Sequence, residues 1–139
     1  SRVGGAAQVK AMKQVASKVK LELAQYNELL AFTQFGSDLD KATRDQLNRG
    51  ARIMEVLKQA QYTPYAVEEQ VISFYSVTNG FFDDIPVEKV RNFEKSLIES
   101  MRNNSDILEK ILDKKQLTDD LRQEIDEFIK QYKKEYILS

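Results

Sequence analysis

Two short segments hold the residues whose types and spacing invite a chemical reading. Lys58-Gln59-Ala60-Gln61-Tyr62-Thr63-Pro64 carries two glutamines. Each side-chain amide offers both a donor and an acceptor, enough to read the edge of an adenine ring. Two glutamines at a helix end serve equally well as polar loop residues, and spacing alone does not decide between these readings. The opening Ser1-Arg2-Val3-Gly4-Gly5-Ala6-Ala7-Gln8 sets small residues before a long helical pattern, which by pattern alone is the make-up of a frayed terminus. Paired acids at Asp83-Asp84 and Asp119-Asp120 each precede a helical stretch, where carboxylates cap free backbone N–H groups. A metal ion would need more oxygen ligands around it, and no metal site is expected.

The remaining inventory is thin. Histidine and cysteine are both absent, which removes the commonest general base, the commonest metal ligand and any thiol nucleophile. None of the five glycines leads into Gly-Lys-Ser or Gly-Lys-Thr, so a phosphate-cradling Walker loop is missing. The net charge of −1 lacks the basic excess of a nucleic-acid binder, and the aromatic residues fall on helix stripes with no interleaved basic patch. Lys130, Lys133 and Lys134 suit the negative end of a last helix and read as a solvated face. The longest apolar runs, such as Leu29-Leu30-Ala31-Phe32, fall far short of the roughly 20 residues a membrane span needs, so no direct membrane insertion is expected. No targeting signal is visible. The chain begins at Ser1 without an initiator methionine, which points to processing or truncation.

The elements that must position these residues are helices. Apolar residues at Val9, Met12, Ala16, Val19, Leu23, Tyr26 and Leu30 recur in steps of three and four, the mark of one helix face. A kink is expected near Ser17 and a stop at Phe35-Gly36. Ser37-Asp38-Leu39-Asp40 reads as a turn and helix start, followed by a helix from about Lys41 to Gln59 with Leu39, Leu47, Met54 and Leu57 on one side. Gly50 inside that helix costs about 1 kcal/mol relative to alanine, so a close approach is its expected reason. Gln61 to Pro64 reads as a loop. A short helix from about Ala66 to Thr78 turns Val67, Val71, Phe74 and Tyr75 inward and closes at Asn79-Gly80. The next, opened by Asp83-Asp84-Ile85-Pro86, buries Val87, Val90, Phe93, Leu97 and Met101. A short helix with Ile107, Leu108, Ile111 and Leu112 follows, then a last one capped by Thr118 and striped with Leu121, Ile125, Phe128, Tyr132 and Tyr136. The reading is all-α: a bundle of about six helices, no sheet, one helical domain over 1–139. Its 42% apolar and 31% charged residues suit a soluble domain with a core of its own.

Three stretches, SRVGGAAQVKAMKQVA at 1–16, LELAQYNELLAFTQFGSDLDKATRDQLNRGARIMEVLKQAQYTPYAVEEQV at 21–71 and TNGFFDDIPVEKVRNFE at 78–94, occur in one order. Together they resemble the C-terminal helical domain of the alpha subunits of F-type ATP synthases. The resemblance is strong over the first hundred residues. From Ser105 onward it is only to a helical tail of similar length. It implies a parent subunit with a β-barrel crown and a nucleotide-binding α/β domain upstream, the latter carrying ATP or ADP with magnesium. Three alpha and three beta subunits alternate around a rotating central stalk, the gamma subunit. Proton flow through the membrane sector drives ATP synthesis at the beta sites, while alpha sites bind nucleotide without turning it over. The place implied is peripheral to an energy-transducing membrane, at the cytoplasmic face of a bacterial plasma membrane or at an organellar inner membrane.

Residue by residue, the resemblance implies that Arg2 is the arginine alpha points into the neighbouring beta catalytic site. Its planar guanidinium suits phosphate oxygens, and comparable arginine fingers give roughly 10³ to 10⁵ in rate. Ser1 supports the same motif. Gln59 and Gln61 match the pair lining the adenine pocket of alpha's own non-catalytic site. Phe35, Gly36, Ser37, Asp38, Leu39 and Asp40 match the loop facing the stalk, with only Asp38 and Asp40 acidic and the contact expected to be mostly steric. Ser17-Lys18 departs from a Gly-Thr-like pair outside any site. Tyr65 replaces a methionine or leucine, which would shift the loop bearing Gln61. Two other readings compete. One is a freestanding helical adaptor that holds a partner helix in a groove, which leaves the opening motif and Gln59-Ala60-Gln61 unexplained. The other is a small enzyme relying on Asp, Glu or Lys, for which no constellation is visible. By itself the domain is expected to be non-catalytic and to bind nucleotide weakly or not at all.

Overall fold

A computed structural model describes residues 10–33, 40–63 and 65–138. Among these, six helices follow one another: α1 (Lys10–Thr33), α2 (Lys41–Tyr62), α3 (Val67–Thr78), α4 (Val87–Asn104), α5 (Ile107–Lys114) and α6 (Asp119–Leu138), with no strand. The all-α expectation holds.

The organising element is the short α3. Every residue from Val71 to Thr78 is buried, because α1, α2, α4 and α5 all pack against it. A helix enclosed on all sides must dispose of its polar side chains internally. Ser76 Oγ donates to Ile72 O (2.6 Å) and Thr78 Oγ1 to Phe74 O (2.8 Å), returning both hydroxyls to the helix backbone. Tyr75 Oη donates to Asp126 Oδ1 of α6 at 2.7 Å. The helix ends as Asn79-Gly80 suggests: Gly80 takes φ +84°, Phe81 N donates to Ser76 O (2.9 Å) and Gly80 N to Val77 O (3.4 Å). This double closure uses the left-handed freedom of glycine.

Around α3, the stripes mostly fall as expected. Met12 and Val19 of α1 are buried, as are Val90, Phe93, Leu97 and Met101 of α4 and Leu121 and Ile125 of α6. Phe93 sits at the centre of an aromatic cluster, edge-on to Phe82 (5.6 Å) and to Tyr136 (5.0 Å), with Tyr132 at 5.7 Å. The residues after Ser105 are integral to this core. Ala11 N donates to Lys115 O (3.0 Å), and Gln14 Oε1 accepts from Leu117 N (3.0 Å), tying the tail to the start of α1.

Several expectations need correction. The second helix continues to Tyr62, so Gln61 lies in its last turn and not in a loop. Its inward face is Ile53 and Val56, while Met54 is exposed, because the face that meets α3 and α4 is rotated from the stripe read in the sequence. Leu30 and Leu112 are also exposed, although placed on apolar stripes. Helix α1 is assigned unbroken through Ser17. Asp83 and Asp84 do not cap α4, whose N-cap position is Pro86 with no side-chain bond. They pair instead with Arg49 and Lys133. Lys133 is therefore no solvated cation: Nζ reaches Phe81 O (2.8 Å) and Asp84 Oδ1 (2.6 Å). The other acidic pair lies in the first turn of α6, where the capping oxygen is that of Thr118, whose Oγ1 accepts from Leu121 N (3.2 Å).

Candidate functional site

The end of α2, Tyr65 and the outer face of α4 enclose a cleft of about 550 Å³. That volume lies within the range of small-molecule clefts. Gln59, Thr63, Arg91, Lys95 and Arg102 are on its walls, with Glu88 and Glu99 among the basic groups. The Arg102 wall is fixed from behind. Glu69, largely buried in the first turn of α3, accepts from Ala66 N (3.1 Å) and from Arg102 Nε (3.0 Å), so one carboxylate both opens α3 and holds the arginine on α4. The pairing raises the Arg102 pKa further. Burial, aided by the carboxylates of Glu94 and Glu69, pushes the Tyr65 phenol up to about 12, so it stays a neutral hydroxyl at the cleft wall.

Gln59 is the best-positioned of the candidate side chains. It is buried, and its Nε2 donates to Glu55 Oε2 one turn earlier at 3.1 Å. Glu55 in turn faces Lys58 Nζ at 3.7 Å. Near Glu55 lies Glu94 of α4, only 1% exposed, with Oε1 lacking a hydrogen-bond partner among the described residues. Burial pushes the Glu94 carboxyl up to about 7; the Ser73 hydroxyl opposes the rise and the Glu55 carboxylate adds to it. Gln61 stands apart from this group. Two residues on in a helix is a rotation of about 200°, and Gln61 is exposed. The structure brings Gln59, and not Gln61, onto the cleft.

Of the other candidates, Ser1, Arg2 and the segment Phe35, Gly36, Ser37, Asp38 and Leu39 lie outside the described residues. Asp40 is the N-cap of α2, its carboxylate accepting from Thr43 N at 2.8 Å, as the reading of that turn expects. The hydrogen bonds from Thr43 lower its pKa. Beyond Asp40, α2 is clamped to the chain between α3 and α4. Arg49 reaches Asp83 (2.7 Å) and Glu22 of α1 (3.6 Å), and Arg52 Nε donates to Phe82 O (2.8 Å) and Ile85 O (2.9 Å). A Cβ on Gly50 would overlap the Tyr26 side chain of α1, the close approach that explains a glycine in mid-helix. Glu55, Glu69, Arg49 and Arg52 were not singled out from the sequence. Only the spacing Glu55–Gln59, one helical turn, carried a local signal. Among the described residues no group of three or more Asp or Glu is placed to hold a metal ion, and no helix is long and apolar enough to cross a membrane.

Residues 8–132 match the family described as ATP synthase alpha/beta chain, C terminal domain. The chain belongs to that family. It is also 53% identical over 138 residues to the ATP synthase subunit alpha of Aquifex aeolicus (strain VF5), an alignment covering 99% of this chain and 27% of that relative. The chain thus spans about a quarter of the length of the relative it matches. The likeness continues through the tail beyond Ser105, which the bonds from α1 to Lys115 and Leu117 make part of the same core.

Proposed function

We propose that this helical domain serves as the non-catalytic, positioning part of an ATP synthase alpha subunit. In this reading the domain packs in a ring of alternating alpha and beta subunits, and the segment 35–40 faces the gamma subunit of the central stalk. Arg2 enters the neighbouring beta catalytic site to meet the charge that develops on the transferring phosphoryl group. Gln59 holds the base of a nucleotide in alpha's own site, with Gln61 approaching it from the solvent side. The phosphates and their magnesium ion belong to chain that precedes this sequence in the parent subunit. The domain is peripheral to the coupling membrane.

The observation that carries the base-binding part is the cleft of about 550 Å³ with a buried, oriented amide on its wall. A planar base needs few polar contacts, provided they are fixed, and here Glu55 fixes one. The test places Gln59→Ala and Gln61→Ala separately in the full-length alpha subunit, assembled with beta and gamma. Equilibrium nucleotide binding to the alpha sites should weaken by about tenfold for Gln59→Ala, the value of one good hydrogen bond plus packing, and by less for Gln61→Ala. Turnover at the beta sites should persist. Unchanged alpha-site affinity in both variants would remove the base-holding role.

A further inference from the structure

We propose that Glu55 is the residue that sets which bases the cleft accepts, by fixing the orientation of the Gln59 amide. The inference rests on the reading of Gln59 as a base-holding residue and adds the reason for its selectivity. A glutamine amide has two nearly isosteric ends with opposite hydrogen-bonding character, and which end faces a ligand follows from what holds the other. Here the holder is a carboxylate. Glu55 Oε2 lies 3.1 Å from Gln59 Nε2, and Glu55 is itself faced by Lys58 Nζ. An ionised carboxylate only accepts, so it can hold only the NH₂ end. The carbonyl Oε1 is thereby left as the end offered to the cleft. No hydrogen bond among the described residues takes it up.

An acceptor fixed in that position recognises a donor. Among purines, it pairs with the exocyclic 6-amino group of adenine. It opposes the 6-oxo group of hypoxanthine or guanine, where two acceptors would face each other and leave a buried polar atom unpaired. Beside Glu55 lies the fully buried Glu94, whose carboxyl is pushed up to about 7 by burial, with the Ser73 hydroxyl opposing the rise. Glu55 keeps its contacts with Gln59 and Lys58.

The experiment uses the assembled complex with the full-length alpha subunit. The probes are the magnesium complexes of ATP, of inosine triphosphate (a 6-oxo base) and of purine riboside triphosphate (no 6-substituent). Gln59→Ala defines the alpha-site component: if it leaves ATP binding unchanged, the base-holding reading itself fails. Given that component, the parent should prefer ATP to inosine triphosphate, with the unsubstituted purine between them. Glu55→Gln frees the amide to turn and should reduce that preference by about tenfold. Glu55→Lys presents only donors and should invert the preference. Thermal midpoints of the variants are measured alongside, since a purely structural role would move stability and leave the ratio of affinities alone. The proposal is overturned if the Gln59→Ala component exists and both Glu55 variants keep the parent's ratio. It is equally overturned, with no variant needed, if the parent binds inosine triphosphate as tightly as ATP.

Discussion

The two ends of this molecule are built on opposite terms. At one end α3 is enclosed by four helices, its Ser76 and Thr78 hydroxyls turned back on its own backbone and its closing loop held by Arg52 and Lys133. At the other, the last turns of α1 and the first of α2 run beyond the α3 core. Leu30 is 42% exposed and Phe32 66%, and the first turns of α2 carry mostly exposed polar residues. The contrast separates two demands on one chain. The enclosed end is stable through its own contacts and gives the cleft at Gln59 a rigid wall. The projecting end keeps apolar surface exposed among the described residues, which the function proposed above assigns to contact with other subunits.

The largest test of the contrast compares one aromatic residue from each end. Phe93→Ala, at the centre of the aromatic cluster, should cost about 3–5 kcal/mol in denaturant unfolding. Phe32→Ala should stay within about 0.5 kcal/mol. Comparable losses at both would erase the distinction.

The second test uses acid–base linkage. The folded pKa of Glu94 is raised by burial to about 7, so the folded chain holds a proton that the unfolded chain releases at lower pH. Stability from this group is full below the ordinary carboxylate range and is lost as pH rises through about 7. Glu94→Gln should therefore be more stable than the parent at pH 8, by about 1–3 kcal/mol, and the gap should close toward pH 5. A variant that is less stable than the parent at pH 8 would show that the carboxylate is compensated in a way this packing does not provide.

Smaller effects sharpen the boundary between the ends. Gly50→Ala gains helix propensity but drives a methyl into Tyr26. A net loss of about 1–2 kcal/mol is expected, and a net gain would mean that α1 and α2 separate freely there. Asp40→Ala removes the cap on Thr43 N and should have the smallest effect of these, seen as faster amide exchange in the first turn of α2. If exchange does not change, the cap contributes nothing at this end.

The periodicity of single helices was legible in the sequence, as were the glycine closure at Gly80 and the caps at Asp40 and Thr118, because these are local. What was not legible depends on which neighbour a helix meets. Met54 lies on an apolar stripe but faces outward, since α2 turns Ile53 and Val56 to the core. Asp83 and Asp84 sit where caps belong, yet Arg49 and Lys133, 34 and 49 residues away in sequence, claim them. Gln59 and Gln61 look like a pair on paper. The extra turn of α2 through Tyr62 sends the second amide outward and leaves Glu55, a residue with no motif of its own, as the partner of the first.

In the function proposed above, this domain does no chemistry itself and serves a neighbour's site through Arg2. The most direct measurement is steady-state ATP hydrolysis by the assembled complex carrying Arg2→Ala in full-length alpha, with nucleotide binding at the beta sites followed in parallel. If Arg2 acts in the beta site, turnover falls by roughly 10³ or more while nucleotide still binds. Undiminished turnover in a correctly assembled complex would contradict it and leave the domain with packing and stalk contact alone.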